Sequence, residues 1–424
     1  MNGALRMLDK IKGGLFGVAI GDALGGTTEF MSQEEINAEY GTLTEIVGGG
    51  YWNLQPGDIT DDTEMTIAVV KGLMANSNNP IDEIGKQFLR WEQTNPKDIG
   101  ITIRRVFQNY HGDWFQAAEH THRQLNGKSA GNGSLMRCLP IALAYSDVEK
   151  MKEITTLQSN MTHYDELAAE ACVIYNSIAG RVLGGEALKS AILTEIKGTR
   201  YEGLYEVEPD CLPDGFVVHT FKWVLYWLLT CDTFEEVVVG AANKGHDSDT
   251  VAAIAGGLKG LEVGCSNLPV RYKAALLCRK ELEAYGNILR LIRDKDTRAI
   301  KKELDRTFVD LVGKAKKLKD MVERDAYKNG SGESLLSDMK DDIYLCRLSF
   351  DDDDLQYDKK LLTWRQVENR YIRSKRLFDL GAPKIIIHHE VNWLLTMITH
   401  MVERHKGNDP QFTLDQLEEL ANAD

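Results

Sequence analysis

No two cysteines in this chain stand at CxxC spacing, although there are seven of them, dispersed from Cys138 to Cys346. An odd, scattered set excludes a disulfide framework and fits reduced thiols in a cytosol-like compartment. Positive charge is also short. Lys and Arg number 50 against 64 Asp and Glu, a net charge of −14, which argues against nucleic acid as the main partner, because phosphate backbones are bound by basic surfaces. Met1 to Lys12 holds no signal-peptide stretch. The longest apolar run, Phe221 to Leu229, is interrupted by Lys222 and falls far short of the roughly 20 residues of a membrane span. These absences lead to the expectation of a soluble, cytoplasmic protein with no membrane segment. Alternating strands are scarce as well: Gly215 to Val218 is short and undecided, and no solenoid period is visible.

What is present is helical periodicity. Met65, Val69 and Leu73 recur at four-residue spacing. Ala171, Tyr175, Ile178 and Val182 form a second apolar stripe, and Val251, Ile254, Leu258 and Leu261 a third. The expected fold class is all-α and compact. Glycines at Gly48-Gly49-Gly50, Gly131 and Gly133, and Gly256-Gly257 either punctuate helices or let them approach closely. Composition changes near residue 290. Lys295 to Lys328 is rich in charge, and Asn329-Gly330-Ser331-Gly332 and the acidic run Asp351 to Asp354 follow. A last amphipathic helix then carries Val391, Leu394, Leu395, Ile398, Met401 and Val402 on one face. The chain therefore reads as a helical domain over residues 1–295 and a helical C-terminal extension over 296–424. His388-His389-Glu390 lacks the His-Glu-x-x-His pattern and reads as helix surface. The cysteines, with no adjacent base, read as core.

Two similar clusters stand far apart: Thr60-Asp61-Asp62-Thr63 and Asp247-Ser248-Asp249-Thr250. Each opens an apolar helix, so one reading is a pair of N-caps, where Thr and Asp oxygens accept orphan backbone N–H groups. The other reading follows from their number. Four aspartates brought together repel unless a cation neutralises them. Hard oxygen donors suit Mg²⁺ or Mn²⁺, and a two-ion site needs about this many anionic groups. Zinc is disfavoured, since only His246 accompanies either cluster.

Further motifs give these clusters a context. Gly13-Gly14-Leu15-Phe16-Gly17-Val18-Ala19-Ile20-Gly21-Asp22-Ala23-Leu24-Gly25 followed by Glu29, Pro56-Gly57-Asp58-Ile59-Thr60-Asp61-Asp62-Thr63, Gly131-Asn132-Gly133-Ser134-Leu135-Met136-Arg137, Thr162-His163 and Asn243-Lys244-Gly245-His246-Asp247-Ser248-Asp249-Thr250 occur in that order. The series resembles the ADP-ribosylglycohydrolase family, also called the dinitrogenase reductase-activating glycohydrolase family, over about residues 10–290. The resemblance implies an all-α fold holding two Mg²⁺ or Mn²⁺ ions. It implies Thr60, Asp61, Asp62, Asp247, Asp249 and Thr250 as metal ligands, with Glu29 beside them. It makes Gly131 to Arg137 a ribose-binding loop, with Asn132, Gly133, Ser134, Met136 and Arg137 toward the substrate. Trp91 and Asp98-Ile99-Gly100 resemble the branch acting on ADP-ribosyl-arginine, where the Asp contributes to catalysis. Gly215-Phe216-Val217-Val218 resembles a Gly-Tyr-Val-Val segment whose ring stacks on the ligand, here with Phe216 and no phenol.

The implied reaction is hydrolysis of the bond between ribose C1 and a side chain of an ADP-ribosylated protein, with Asp98 as first candidate for the base and Glu29 as second. Several of these residues also have ordinary readings. Asn132-Gly133 is a common turn pair, Arg137 is as well suited to a structural carboxylate as to a phosphate, and His163 reads as a nucleotide contact or a structural histidine. A different class of function, a protein that binds or neutralises an ADP-ribosyltransferase or other partner through residues 296–424, is motivated by the extension.

Overall fold

The computed structural model describes residues 3–203, 207–295, 297–327, 331–349 and 364–405. Among these it has nineteen α-helices and no strand, in keeping with the periodicity. The segment Gly215 to Val218 resolves into a single bridge, Phe216 with Gly131, after which a helix starts at Val217. The acidic run Asp351 to Asp354 and the pair Asn329-Gly330 lie outside the described residues. The chain divides into two compact units, Met1–Lys295 and Asp296–Asp424.

At the centre of the first unit, helix Gly3–Gly25 runs antiparallel to helix Ser248–Val263. Their approach is backbone to backbone. A Cβ built on Gly13 would lie 2.2 Å from the Gly260 carbonyl oxygen, one on Gly17 2.1 Å from that of Gly256, and one on Gly21 2.0 Å from that of Ala252. On Gly25 it would lie 2.5 Å from the Asp249 Cα. Glycine recurs every four residues, so one stripe of the first helix carries no side chains and the second helix sinks into it. The other faces carry Leu15, Phe16, Ile20 and Leu24, all buried. Asp249 is thereby fixed against the end of the first helix, a few residues from Glu29.

The second unit consists of helices Thr297–Glu323, Ser331–Ser349, Trp364–Asp379 and Lys384–His405. Leu311, Leu318, Leu336, Met339, Val367 and Ile398 are among the buried residues of its own core. Of the amphipathic stripe, Val391, Leu394, Ile398, Met401 and Val402 are buried and Leu395 partly so. Glu390 corrects the surface reading of His388-His389-Glu390. It is only 2% exposed and accepts from Arg370 Nη1 at 2.6 Å, with Arg373 Nε 3.1 Å away. A buried carboxylate persists when paired in this way. The cysteines also divide: Cys138, Cys172 and Cys265 are buried, whereas Cys211, Cys231 and Cys278 are partly exposed and so are not core.

The glycine stripe makes a stability test. Gly21→Ala is expected to cost about 3 kcal/mol, because the added methyl meets backbone and not a side chain that can turn away. Gly180→Ala, inside helix Glu166–Leu183 with open space around its Cβ, is expected to stabilise by roughly 0.5–1 kcal/mol. Denaturant unfolding of both variants checks the pair, and equal effects would refute the backbone contact.

Candidate functional site

Helix Asp61–Ala75 and helix Ser248–Val263 open on Thr60 and Asp247, and neither residue makes a side-chain capping bond. The simple N-cap reading is therefore corrected. The first turn of helix Asp61–Ala75 is capped from elsewhere, by Asp22 of helix Gly3–Gly25. Its carboxylate accepts from Thr60 N at 3.0 and 3.2 Å, Thr63 N at 3.0 Å and Thr60 Oγ1 at 2.9 Å. Asp22 is fully buried, and burial raises its pKa to about 6 although these hydrogen bonds pull downward. With the cap supplied by Asp22, the side chains of Asp61 and Asp62 are released to point elsewhere.

They meet the second cluster. Thr60 Oγ1 lies 3.3 Å from Asp62 Oδ2 and 3.5 Å from Asp249 Oδ2, and Thr250 Oγ1 donates to Asp62 Oδ2 at 3.3 Å. Carboxylate oxygens of Glu29, Asp98 and Asp249 lie within 4.8 Å of one another. Asp61 Oδ2 accepts from Gly100 N at 3.3 Å, which brings the 98–100 turn to the same place. Asp247, at the edge, accepts from Asn132 Nδ2 at 2.6 Å. All six expected ligand residues, with both candidate catalytic acids, thus converge from segments nearly 190 positions apart.

Burial and mutual repulsion dominate the electrostatics. Asp61, Asp62 and Asp249 have pKa values pushed well above the ordinary 3.8, first by burial and then by neighbouring carboxylates. Glu29 is pushed up to about 8 by burial and then by Asp98, and Asp98 to about 6 by burial. Two oxygens, Asp62 Oδ1 and Asp249 Oδ1, are buried with no hydrogen-bond partner. Buried carboxylate oxygens without donors are expensive, so the pair fits a role in holding a cation. All the donors are hard oxygens, which suits Mg²⁺ or Mn²⁺. His246 contributes its backbone, pairing with Phe30 and Met31.

On one flank lies the Gly131–Gly133 loop. Asn132 Nδ2 also donates to Thr220 Oγ1 at 2.9 Å, and the loop pairs with the 215–217 segment through Asn132 N to Gly215 O and Val217 N to Ala130 O. His163 lies beneath it: a Cβ on Gly131 would sit 3.0 Å from His163 Nε2, and one on Gly133 3.2 Å from Cε1. Burial pushes His163 down to about 3, so its neutral ring supports the loop from below. Phe216 is 37% exposed and packs edge to face on His219 at 5.0 Å. The structure places Arg137, Ser134 and Met136 in the protein interior, each with protein partners. Arg137 is fully buried, donates to Gln158 and to Thr162 Oγ1 and stacks on Phe88 at 4.3 Å. Among the described residues no carboxylate bonds to it. Ser134 is held by Ser159, and Met136 offers its carbonyl to Thr66 from a buried position.

A cavity of about 230 Å³ is lined by Trp52, Asp58, Asp61, Glu64, Lys97 and Asp98, among others. Trp52 Nε1 donates to Glu29 Oε2 at 2.5 Å, and Trp91 Nε1 to Glu64 Oε2 at 2.6 Å. Sequence reasoning missed Asp22, Trp52 and Thr220 as members of the site. Asp22 sat inside a quoted motif, and its i,i+1 position after Gly21 was the available signal; Trp52 and Thr220 offered none.

Comparisons with known proteins give the family context of the chain. A family model described as ADP-ribosylglycohydrolase matches residues 3–299. The chain is 32% identical over 277 residues to the ADP-ribosyl-[dinitrogen reductase] glycohydrolase of Rhodospirillum rubrum, covering 65% of this chain and 92% of that one. It is 28% identical over 281 residues to the ADP-ribosylarginine hydrolase Tri1 of Serratia proteamaculans, covering 62% and 74%. A solved structure titled an ADP-ribosylglycohydrolase-related protein complex superposes with a TM-score of 0.59 at 27% identity, over 68% of this chain and 99% of its own.

The raised carboxyl groups predict a pH dependence for the cation-free protein. Folded-state values above the unfolded ones mean that the folded protein holds extra protons. This stabilisation is full below about pH 4 and is lost as pH rises through about 6 for Asp98 and about 8 for Glu29. Tm is expected to fall across that window in chelator, and to fall less with Mg²⁺ or Mn²⁺ present. Superimposable Tm curves with and without cation would refute the site as a cation site.

Proposed function

This chain belongs to the ADP-ribosylglycohydrolase family, and on that premise we propose that it hydrolyses the N-glycosidic bond between ribose C1 and a protein side chain, arginine in the first instance. The observation carrying this reading is the convergence of Glu29, Asp98 and Asp249 within 4.8 Å beside two buried carboxylate oxygens that lack donors. Thr60, Asp61, Asp62, Asp247, Asp249 and Thr250 would hold two Mg²⁺ or Mn²⁺ ions. When bound, such ions supply the positive charge that lets these carboxylates ionise together and gives ribose hydroxyls an anchor.

The remaining work falls to the chain. Asn132, tied to Asp247 and Thr220, and the exposed ring of Phe216 form the side that receives the nucleotide half. The cavity beside Trp52 receives the acceptor, and its carboxylates at Asp58, Glu64 and Asp98 suit a planar guanidinium. That the Serratia relative is named an ADP-ribosylarginine hydrolase supports arginine. As the C1–N bond breaks, its electron pair passes to the guanidine nitrogen and positive charge spreads between C1 and the ring oxygen. A water then bonds to C1 and gives its proton to Asp98, whose carboxyl is made more basic by burial than that of an ordinary aspartate. Glu29, oriented by Trp52, stands beside that water.

A second reading concerns residues 296–424, which lie almost wholly beyond the family match. Leu380 and Ile385 there are 70% and 79% exposed, which is ordinary for single apolar side chains, so the reading of this unit as the binder of a partner such as an ADP-ribosyltransferase rests on its lying beyond the family match. Deleting residues 296–424 is expected to leave turnover of a small ADP-ribosyl-arginine substrate unchanged while partner capture is lost. Loss of turnover in a folded truncation would count against it.

The hydrolase reading is tested by release of free ADP-ribose from ADP-ribosyl-arginine with Mg²⁺, with Mn²⁺ and in chelator. Release is expected only with cation, and to be lost in Asp61→Ala and Asp249→Ala. Asp98→Asn is expected to lower kcat by roughly 10²–10⁴ with KM little changed. Release that survives chelation and all three substitutions would overturn the reading.

A further inference from the structure

Phe30 and Tyr51 are large apolar side chains left 59% and 70% exposed. Their rings meet edge to face with centroids 5.1 Å apart, and each packs on Trp52, at 6.1 and 4.8 Å. Phe30 has φ +64°, a left-handed conformation that bulky residues rarely adopt. Two backbone bonds hold it there: Phe30 N donates to His246 O at 2.7 Å, and His246 N donates to Met31 O at 2.8 Å. Tyr51 follows three glycines of positive φ, Gly48, Gly49 and Gly50. The fold thus presents two aromatic rings to water, one of them at a backbone position that glycine would occupy with less strain. Strain kept at the edge of a reaction centre points to function.

The third ring locates the patch. Trp52 lines the acceptor-side cavity and donates to Glu29, and Phe30 and Tyr51 pack on its ring from outside the cavity lining. Asn132 and Phe216, on the nucleotide side, do not line the cavity.

We propose that Phe30 and Tyr51 form a docking surface for the protein part of the substrate, taking apolar side chains that flank the modified residue. This rests on the assignment above of the cavity to the acceptor. Exposed aromatic anchors are the side chains that most often concentrate binding energy at such contacts.

The test compares the full chain with Tyr51→Ala and Phe30→Gly on two substrates, actin mono-ADP-ribosylated on arginine and free ADP-ribosyl-arginine. Both variants are expected to raise KM for the modified actin about tenfold, with kcat unchanged and both constants unchanged on the small substrate. Phe30→Gly is expected to keep or raise Tm, which separates docking from folding. An equal KM rise on both substrates would mean that the rings touch ADP-ribose itself, and no change on either would mean that they touch nothing; both overturn the proposal. If the parent chain releases ADP-ribose from neither substrate, the hydrolase reading fails by itself. Docking is then read from Kd for the modified actin, and equal values for parent and variants overturn it.

Discussion

The contact on which this protein depends is backbone against backbone. Helix Gly3–Gly25 and helix Ser248–Val263 touch at four positions, each one helical turn apart, where a single methyl would lie inside van der Waals distance of main-chain atoms. Because the helices are antiparallel, the carboxyl end of the first meets the amino end of the second. That is where Asp22 and Glu29 come to face Asp247 and Asp249. Two helix amino termini, those of Asp61–Ala75 and Ser248–Val263, therefore converge on one spot, and their partial positive charges offset some of the acidic charge collected there.

Hydrogen bonding sorts the acids of this centre into different jobs. Asp22 is as buried as Asp62 and Asp249, yet it is saturated by two backbone N–H groups and a hydroxyl, and so acts as architecture. Asp62 and Asp249 each keep an oxygen with no donor, and so remain open to a cation. Thr60 sits between the two kinds, its one hydroxyl proton within reach of Asp22, Asp62 and Asp249. Residue type alone does not distinguish these roles; the number of donors around each carboxylate does.

This explains what was legible in the sequence. The helical class was readable because apolar residues repeat every three to four positions in long stretches, and the two acidic clusters because their likeness across nearly 190 residues is improbable for capping alone. The approach of Gly256 to another helix was open to suspicion, though its partner Gly17 was not. Arg137 misled, since an arginine inside a substrate loop suggests an anion, and only packing reveals a guanidinium satisfied by Gln158, Thr162 and the face of Phe88. Asp22 and Trp52 escaped notice because their partners are distant in sequence, and single residues carry no period. Glu390 escaped for the same reason: its arginines lie 17 and 20 positions earlier, on another helix.

Asp22 has a consequence for how this centre comes into being. The turn that bears Thr60, Asp61 and Asp62 contains none of its own stabilising cap, which is lent by a helix that ends long before it. A peptide spanning that turn would carry half of the proposed ligands and yet lack the means to hold them, and the same segment transplanted into another scaffold would fray at its first turn. The centre is therefore assembled only as the two ends of the domain close on each other, and nascent chains still missing helix Ser248–Val263 present no preformed trap for stray ions.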